Sequence, residues 1–133
     1  WNENITNNLC EGAREALLRN GVHEENIVIQ RAPGSFELPL GAQWMLERED
    51  IDGVVAIGSV IQGETKHFDF VCQATAQGIK DVGLKYNKPA IFCVLTDNTM
   101  QQAIDRSGGK HGNKGIEAAI ACMKMIELKK NLK

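Results

Sequence analysis

The 133-residue sequence predicts an α/β fold in which a parallel sheet carries helices on both faces, formed as one domain over residues 1–133. Two observations carry this reading. Short unbroken apolar runs, Val54-Val55-Ala56-Ile57 and Ala90 to Leu95, have the composition of buried parallel strands. They alternate with longer segments whose apolar residues recur at helical spacing. A third observation concerns the join between them. The glycine-punctuated stretch Gly58 to Phe70 links a strand to a helix, and open α/β folds place ligands at such carboxyl ends.

Each element follows in chain order. Ile5, Leu9, Ala13, Ala16 and Leu17 share one helical face, which Asn20-Gly21 ends. Asn26 to Ala32 alternates around Ile27, Ile29 and Arg31 and predicts a strand, broken by Pro33-Gly34. Leu38 to Leu46 predicts a helix with Pro39 tolerated in its first turn. Val54 to Gly58 is a second strand. From Lys66 to Leu84, the residues Phe68, Val71, Thr75, Ile79 and Val82 form one helical face, with His67 one turn in. Pro89 introduces the third strand. Asn98 to Arg106 predicts a short helix ended by Gly108 and Gly109, followed by a glycine-rich basic loop. The last helix runs from about Asn113 to Leu128, with Ile116, Ala119, Ile120, Met123 and Ile126 expected inward. Three strands make a thin sheet, which suggests a further strand before Trp1.

Composition narrows the function classes. A net charge of −2 provides no electrostatic footprint for nucleic acid. No apolar run approaches membrane-spanning length, and no signal peptide is recognisable, so a cytoplasmic location is expected. The four cysteines, Cys10, Cys72, Cys93 and Cys122, form no C-x-x-C pair and sit in apolar contexts. Buried free thiols are the expectation, rather than disulfides or a metal site.

Four segments carry candidate chemistry, each with a plainer alternative. Pro33 to Pro39 either stiffens a connector, with Phe36 in the core, or sets Ser35, Phe36 and Glu37 at a pocket rim. Gly63-Glu64-Thr65 either caps a helix or uses unpaired N–H groups and the helix dipole to hold an anion. His67 is either solvated or the proton carrier beside that anion site. In the loop from Asp105 to Gly115, Arg106 and Lys114 are either solvated or a phosphate grip.

Together these segments resemble the lumazine synthase family. The resemblance covers essentially the whole chain and rests on PGSFELP (33–39), GSVIQGETKHFDF (58–70), Val94-Leu95-Thr96 and QAIDRSGGKHGNKGIEA (102–118). It implies a flavodoxin-like sandwich whose sheet has four parallel strands, the first of them central and absent here. It implies riboflavin biosynthesis by a transferase. 5-Amino-6-(D-ribitylamino)uracil condenses with 3,4-dihydroxy-2-butanone 4-phosphate to 6,7-dimethyl-8-ribityllumazine, releasing phosphate and water. No cofactor and no metal are implied. The implied partners are the two substrates, further copies of the chain in pentamers or icosahedral cages with active sites at subunit interfaces, and riboflavin synthase.

The resemblance also assigns residues. His67 corresponds to the catalytic proton donor. Trp1, Asn2, Ser35, Phe36, Glu37, Ser59, Val60, Ile61, Phe92 and Lys114 fall at positions that meet the pyrimidine or ribityl chain. Gly63, Glu64, Thr65 and Arg106 fall at the phosphate positions, with Phe92 and Arg106 supplied by a neighbouring subunit. Gln62 replaces an arginine usual in that turn, and Cys93 stands where glycine is common. A flavin-binding or cage-forming protein of the same fold without turnover is the alternative.

Overall fold

The computed structural model describes residues 3–132, which form five α-helices and a parallel pair of strands. Helix α1 spans Glu3–Arg19, α2 Leu38–Leu46, α3 His67–Tyr86, α4 Met100–Arg106 and α5 Lys114–Asn131. Strands β1 (Val54–Ile61) and β2 (Ala90–Asp97) pair in parallel from Val54↔Ala90 to Ile61↔Asp97. Both faces of this pair are covered. Ala56 and Val94 pack with Ile79 of α3, whereas Leu95 packs with Ile5 and Leu9 of α1 and Ala103 of α4. Two-sided burial is why these strands read as continuous apolar runs rather than as alternating ones. The fully buried Leu9, Leu46 and Ile79 each contribute about 1.5–3 kcal/mol of transfer free energy.

Helices α1 and α5 meet through small residues. Ala13, Ala16 and Ala119 form one buried cluster, and a Cβ on Gly115 would run into the backbone carbonyl of Leu9. This close approach corrects the expected inward face of α5. Gly115, Ala118, Ala119 and Cys122 are buried, while Ile116 and Ile120 remain more than a third exposed. Backbone proximity selects the small residues for the contact and turns the larger ones outward.

Two further expectations change. Asn26 to Ala32 is not a strand: Glu24–Asn26 is a turn of 3₁₀ helix, and residues 27–32 make no ladder. The sheet among the described residues therefore has two parallel strands, not three. Extended backbone becomes a strand only when it pairs with a partner, and none of the described segments forms a ladder with this one. Its side-chain pattern still serves the core, because Val28 packs against Ala42, Leu46 and Val54. The basic glycine-rich loop is also more ordered than expected. Ser107–Gly109 (β3) and Gly112–Asn113 (β4) form a small antiparallel hairpin, with positive φ at Gly108 (114°) and Gly112 (79°).

Candidate active site

The segment 35–37 is a single 3₁₀ turn leading into α2, and it is held from two sides. The hydroxyl Oγ1 of Thr75, buried in α3, donates to the Ser35 carbonyl at 3.1 Å. Gly58 of β1 lets the same turn approach the sheet: a Cβ there would stand 2.7 Å from Ser35 Oγ. Gly78 similarly admits Pro39, whose Cγ would lie 2.6 Å from an added Cβ. These anchors leave Phe36 62% exposed, so it projects from the surface rather than filling the core. Glu37 is exposed beside it. The hydroxyls of Ser35 and Ser59 are buried and have no hydrogen-bond partner.

Beyond Ser59, Val60 and Ile61 are half-buried at the carboxyl end of β1, and Gln62, Gly63, Glu64 and Thr65 form an exposed turn into α3. His67 is the first residue of α3 rather than one turn inside it. Its N–H donates to Thr65 Oγ1 at 3.3 Å, so Thr65 organises the turn while Lys66 occupies the cap position without a side-chain bond. The imidazole is exposed. A helix start whose N–H groups face outward favours an anion.

A second group lies along β2. A cavity of about 610 Å³ runs beside this strand, between it and the ends of α4 and α5, and Phe92, Arg106 and Lys114 all line it. Thr99 caps α4 by accepting from Gln102 N–H, and Arg106 closes that helix. Its Nη1 donates to the Gln102 carbonyl at 3.0 Å and stands 3.7 Å from Asp97 Oδ1. Lys114 opens α5 and pairs with Glu117 at 3.3 Å. The α5 cap, Asn113, accepts from Gly115 N–H and donates to the Asn8 carbonyl, which fixes that helix start on α1.

The candidate residues thus fall into two groups. None of residues 33–39 or 58–67 lines the cavity that holds Phe92, Arg106 and Lys114. Trp1 and Asn2 lie outside the described residues. Among the polar lining residues, Asp97, Gln102 and Glu117 carry no role in the motif reading, although Gln102 and Glu117 lie within the 102–118 motif. Their signals were weak but present. Asp97 closes an apolar run at a strand's carboxyl end, Gln102 precedes Arg106 by one turn, and Glu117 follows Lys114 by three residues.

The cysteines are free and electrostatically quiet. Burial pushes the Cys93 thiol up to about 12 and that of Cys122 up to about 11. Burial also raises Cys10 and Cys72, which are only half-buried. Such thiols stay protonated at neutral pH and are poor nucleophiles. Among the described residues, no helix is long and apolar enough to cross a membrane, and no three His, Cys, Asp or Glu side chains group closely enough to hold a metal.

A parallel strand pair covered on both faces by helices defines the α/β class. The relatives of this chain are closely defined. Residues 1–130 match the 6,7-dimethyl-8-ribityllumazine synthase family, and the chain belongs to that family. It is 58% identical to a 6,7-dimethyl-8-ribityllumazine synthase of Christiangramia forsetii, across 100% of this chain and 80% of that protein. Proteins of the same name from Cytophaga hutchinsonii and Flavobacterium johnsoniae are 56% and 57% identical. These alignments cover 95% and 97% of this chain, and 79% and 68% of the relatives. The mixed α/β architecture with five helices and a parallel sheet agrees with the flavodoxin-like fold of the family.

Proposed function

We propose that this chain is a transferase of riboflavin biosynthesis that condenses 5-amino-6-(D-ribitylamino)uracil with 3,4-dihydroxy-2-butanone 4-phosphate. The product is 6,7-dimethyl-8-ribityllumazine. Family membership over residues 1–130 is the observation that carries this reading. The primary amine of the pyrimidine attacks the ketone, and one water leaves as the imine forms. Loss of a proton and of inorganic phosphate then gives an enol, which tautomerises to a ketone. The ribityl-bearing nitrogen closes the ring on that ketone, and a second water leaves. His67 moves protons in these steps. Ser35, Phe36, Glu37, Ser59, Val60 and Ile61 meet the pyrimidine and ribityl chain, joined by Trp1, Asn2, Phe92 and Lys114. The turn Gly63-Glu64-Thr65 and Arg106 take the phosphate. The buried, unpartnered hydroxyls of Ser35 and Ser59 support a polar ligand at that end of β1.

The active site in this reading is shared between copies of the chain. What supports it is the division of the residues: His67 and Thr65 belong to one group, Phe92 and Arg106 to another across the strand pair. Exposed apolar side chains such as Phe36, Trp44, Phe70 and Leu84 support burial against further copies. The assembly is a pentamer or a multiple of it, up to an icosahedral cage, acting in the cytoplasm and supplying riboflavin synthase. Catalysis is chiefly the holding of two substrates together.

The test is turnover, followed by absorbance of the lumazine product. His67→Ala slows the reaction by about 10²-fold without abolishing it, and Arg106→Ala raises the KM for the phosphorylated ketone. A folded protein that binds riboflavin but forms no lumazine would contradict the reading and favour a non-catalytic flavin-binding or cage protein.

A further inference from the structure

Asp97 ends β2 and lines the same cavity as Arg106. It is only 7% exposed, and its Oδ2 is buried with no hydrogen-bond partner. Its Oδ1 stands 3.7 Å from Arg106 Nη1. That separation is an ion pair without a hydrogen bond. Burial pushes the Asp97 carboxyl up, and the neighbouring guanidinium opposes this. A half-satisfied carboxylate in so dry a place is weak support for stability, because desolvation offsets the attraction. Its backbone and surroundings nevertheless keep it there. The Asp97 carbonyl accepts from Gln62 N–H at 2.9 Å, so β1 continues to hold β2 in register at its last residue. Next along the chain, Asn98 N–H donates to Gln102 Oε1 at 2.8 Å. The turn joining the carboxylate to α4 is therefore fixed at both ends, and Arg106 is held to the same helix through the Gln102 carbonyl.

We propose that Asp97 is a positioning residue for Arg106, its buried carboxylate holding the guanidinium at the cavity so that the fork meets a phosphate. The Gln102 carbonyl holds the guanidinium from the helix side and Asp97 holds it from the strand side. With two restraints, less side-chain freedom is lost when phosphate binds, and a long arginine loses much freedom otherwise. This inference rests on the assignment of Arg106 to phosphate in the proposed reaction. It adds that a negative charge beside the anion site strengthens phosphate binding through geometry, although it opposes that binding through charge.

The experiment compares wild type, Asp97→Asn, Arg106→Ala and the double variant in the assembled protein. It measures the KM for each substrate and the inhibition constant of inorganic phosphate. Asp97→Asn is expected to raise the KM for the phosphorylated ketone and the phosphate inhibition constant about tenfold each, with the pyrimidine KM within about twofold. In the Arg106→Ala background the same change is expected to have no further effect. A tighter phosphate interaction in Asp97→Asn would overturn the proposal, because it would make Asp97 merely repulsive. An equal rise in both KM values, or an undiminished effect without Arg106, would also overturn it by assigning Asp97 a structural role. Asp97→Ser gives the same comparison where the amide does not assemble. Failure of both to assemble would contradict a positioning role. If Arg106→Ala alone leaves phosphate inhibition unchanged, the underlying phosphate assignment falls, and with it the role of Asp97. If Arg106→Ala weakens phosphate while Asp97→Asn does not, only the Asp97 proposal falls.

Discussion

Thr75 reaches across 40 residues of sequence to hold Ser35: its Oγ1 donates to the Ser35 carbonyl at 3.1 Å in a fully buried contact. This bond joins the middle of α3 to the 3₁₀ turn that carries Ser35, Phe36 and Glu37. Thr75→Val keeps the shape and removes the donor. It should cost about 1–3 kcal/mol in urea unfolding, because the buried carbonyl is left without its partner. The KM for the pyrimidine should rise with it, and the KM for the phosphorylated ketone should not. Equal stability in the two proteins would show that the bond is replaced by solvent.

Gly58 carries a second constraint on the same turn. An added methyl group would meet Ser35 Oγ at 2.7 Å and Leu38 Cδ1 at 3.2 Å. Gly58→Ala should therefore destabilise by about 1–3 kcal/mol through overpacking. In a Ser35→Ala background the penalty should shrink, since the nearest obstructing atom is gone. Denaturant midpoints of the four proteins check this, and additive penalties would place the strain elsewhere.

The buried thiols predict an alkaline loss of stability. Cys93 and Cys122 titrate at about 12 and about 11 in the folded chain, above the ordinary 9.0. A raised folded value means that the native state favours the protonated thiol. The associated stability is complete below the ordinary value and is lost as pH rises from there through the folded values. Urea midpoints between about pH 8 and about pH 11 should fall less steeply in the Cys93→Ala, Cys122→Ala double variant than in the parent. Identical slopes would contradict the burial account.

Much of this architecture was legible because local signals and tertiary packing agree. The apolar face of α1 is buried where its spacing placed it, at Ile5, Leu9, Ala13 and Ala16. The run Ala90 to Leu95 is a parallel strand, buried from Cys93 to Leu95 while Phe92 stays exposed. Pro39 stands in the first turn of α2. The misreadings share a cause, which is dependence on something distant in sequence. Residues 27–32 have strand composition but no pairing partner among the described segments, and composition does not supply one. Ile116 and Ile120 looked like core residues until the approach of α5 to the Leu9 carbonyl selected Gly115 and Ala119 instead.

Legibility of the candidate site was uneven for the same reason. The motifs single out Ser35, Thr65, His67, Arg106 and Lys114 one by one as candidates. They could not show that Arg106 and Lys114 share a cavity with Phe92 while His67 lies outside it. Asp97 was invisible as a candidate because its significance lies in burial and in a 3.7 Å contact with a residue on the next helix. No spacing rule encodes either property.

In the proposed assembly, His67 of one chain and Arg106 of another complete each active site. Mixing the two damaged chains tests it most directly. His67→Ala and Arg106→Ala proteins are dissociated, combined in equal amounts and reassembled, and lumazine formation is compared with each variant assembled alone. With the phosphorylated ketone held well below the raised KM of the Arg106→Ala protein, about a quarter of the shared sites regain both intact residues, so activity should rise to about a quarter of wild type. If both residues serve a site within one chain, no mixture restores the pair. Activity would then remain the average of the two variants, and the shared-site account would be wrong.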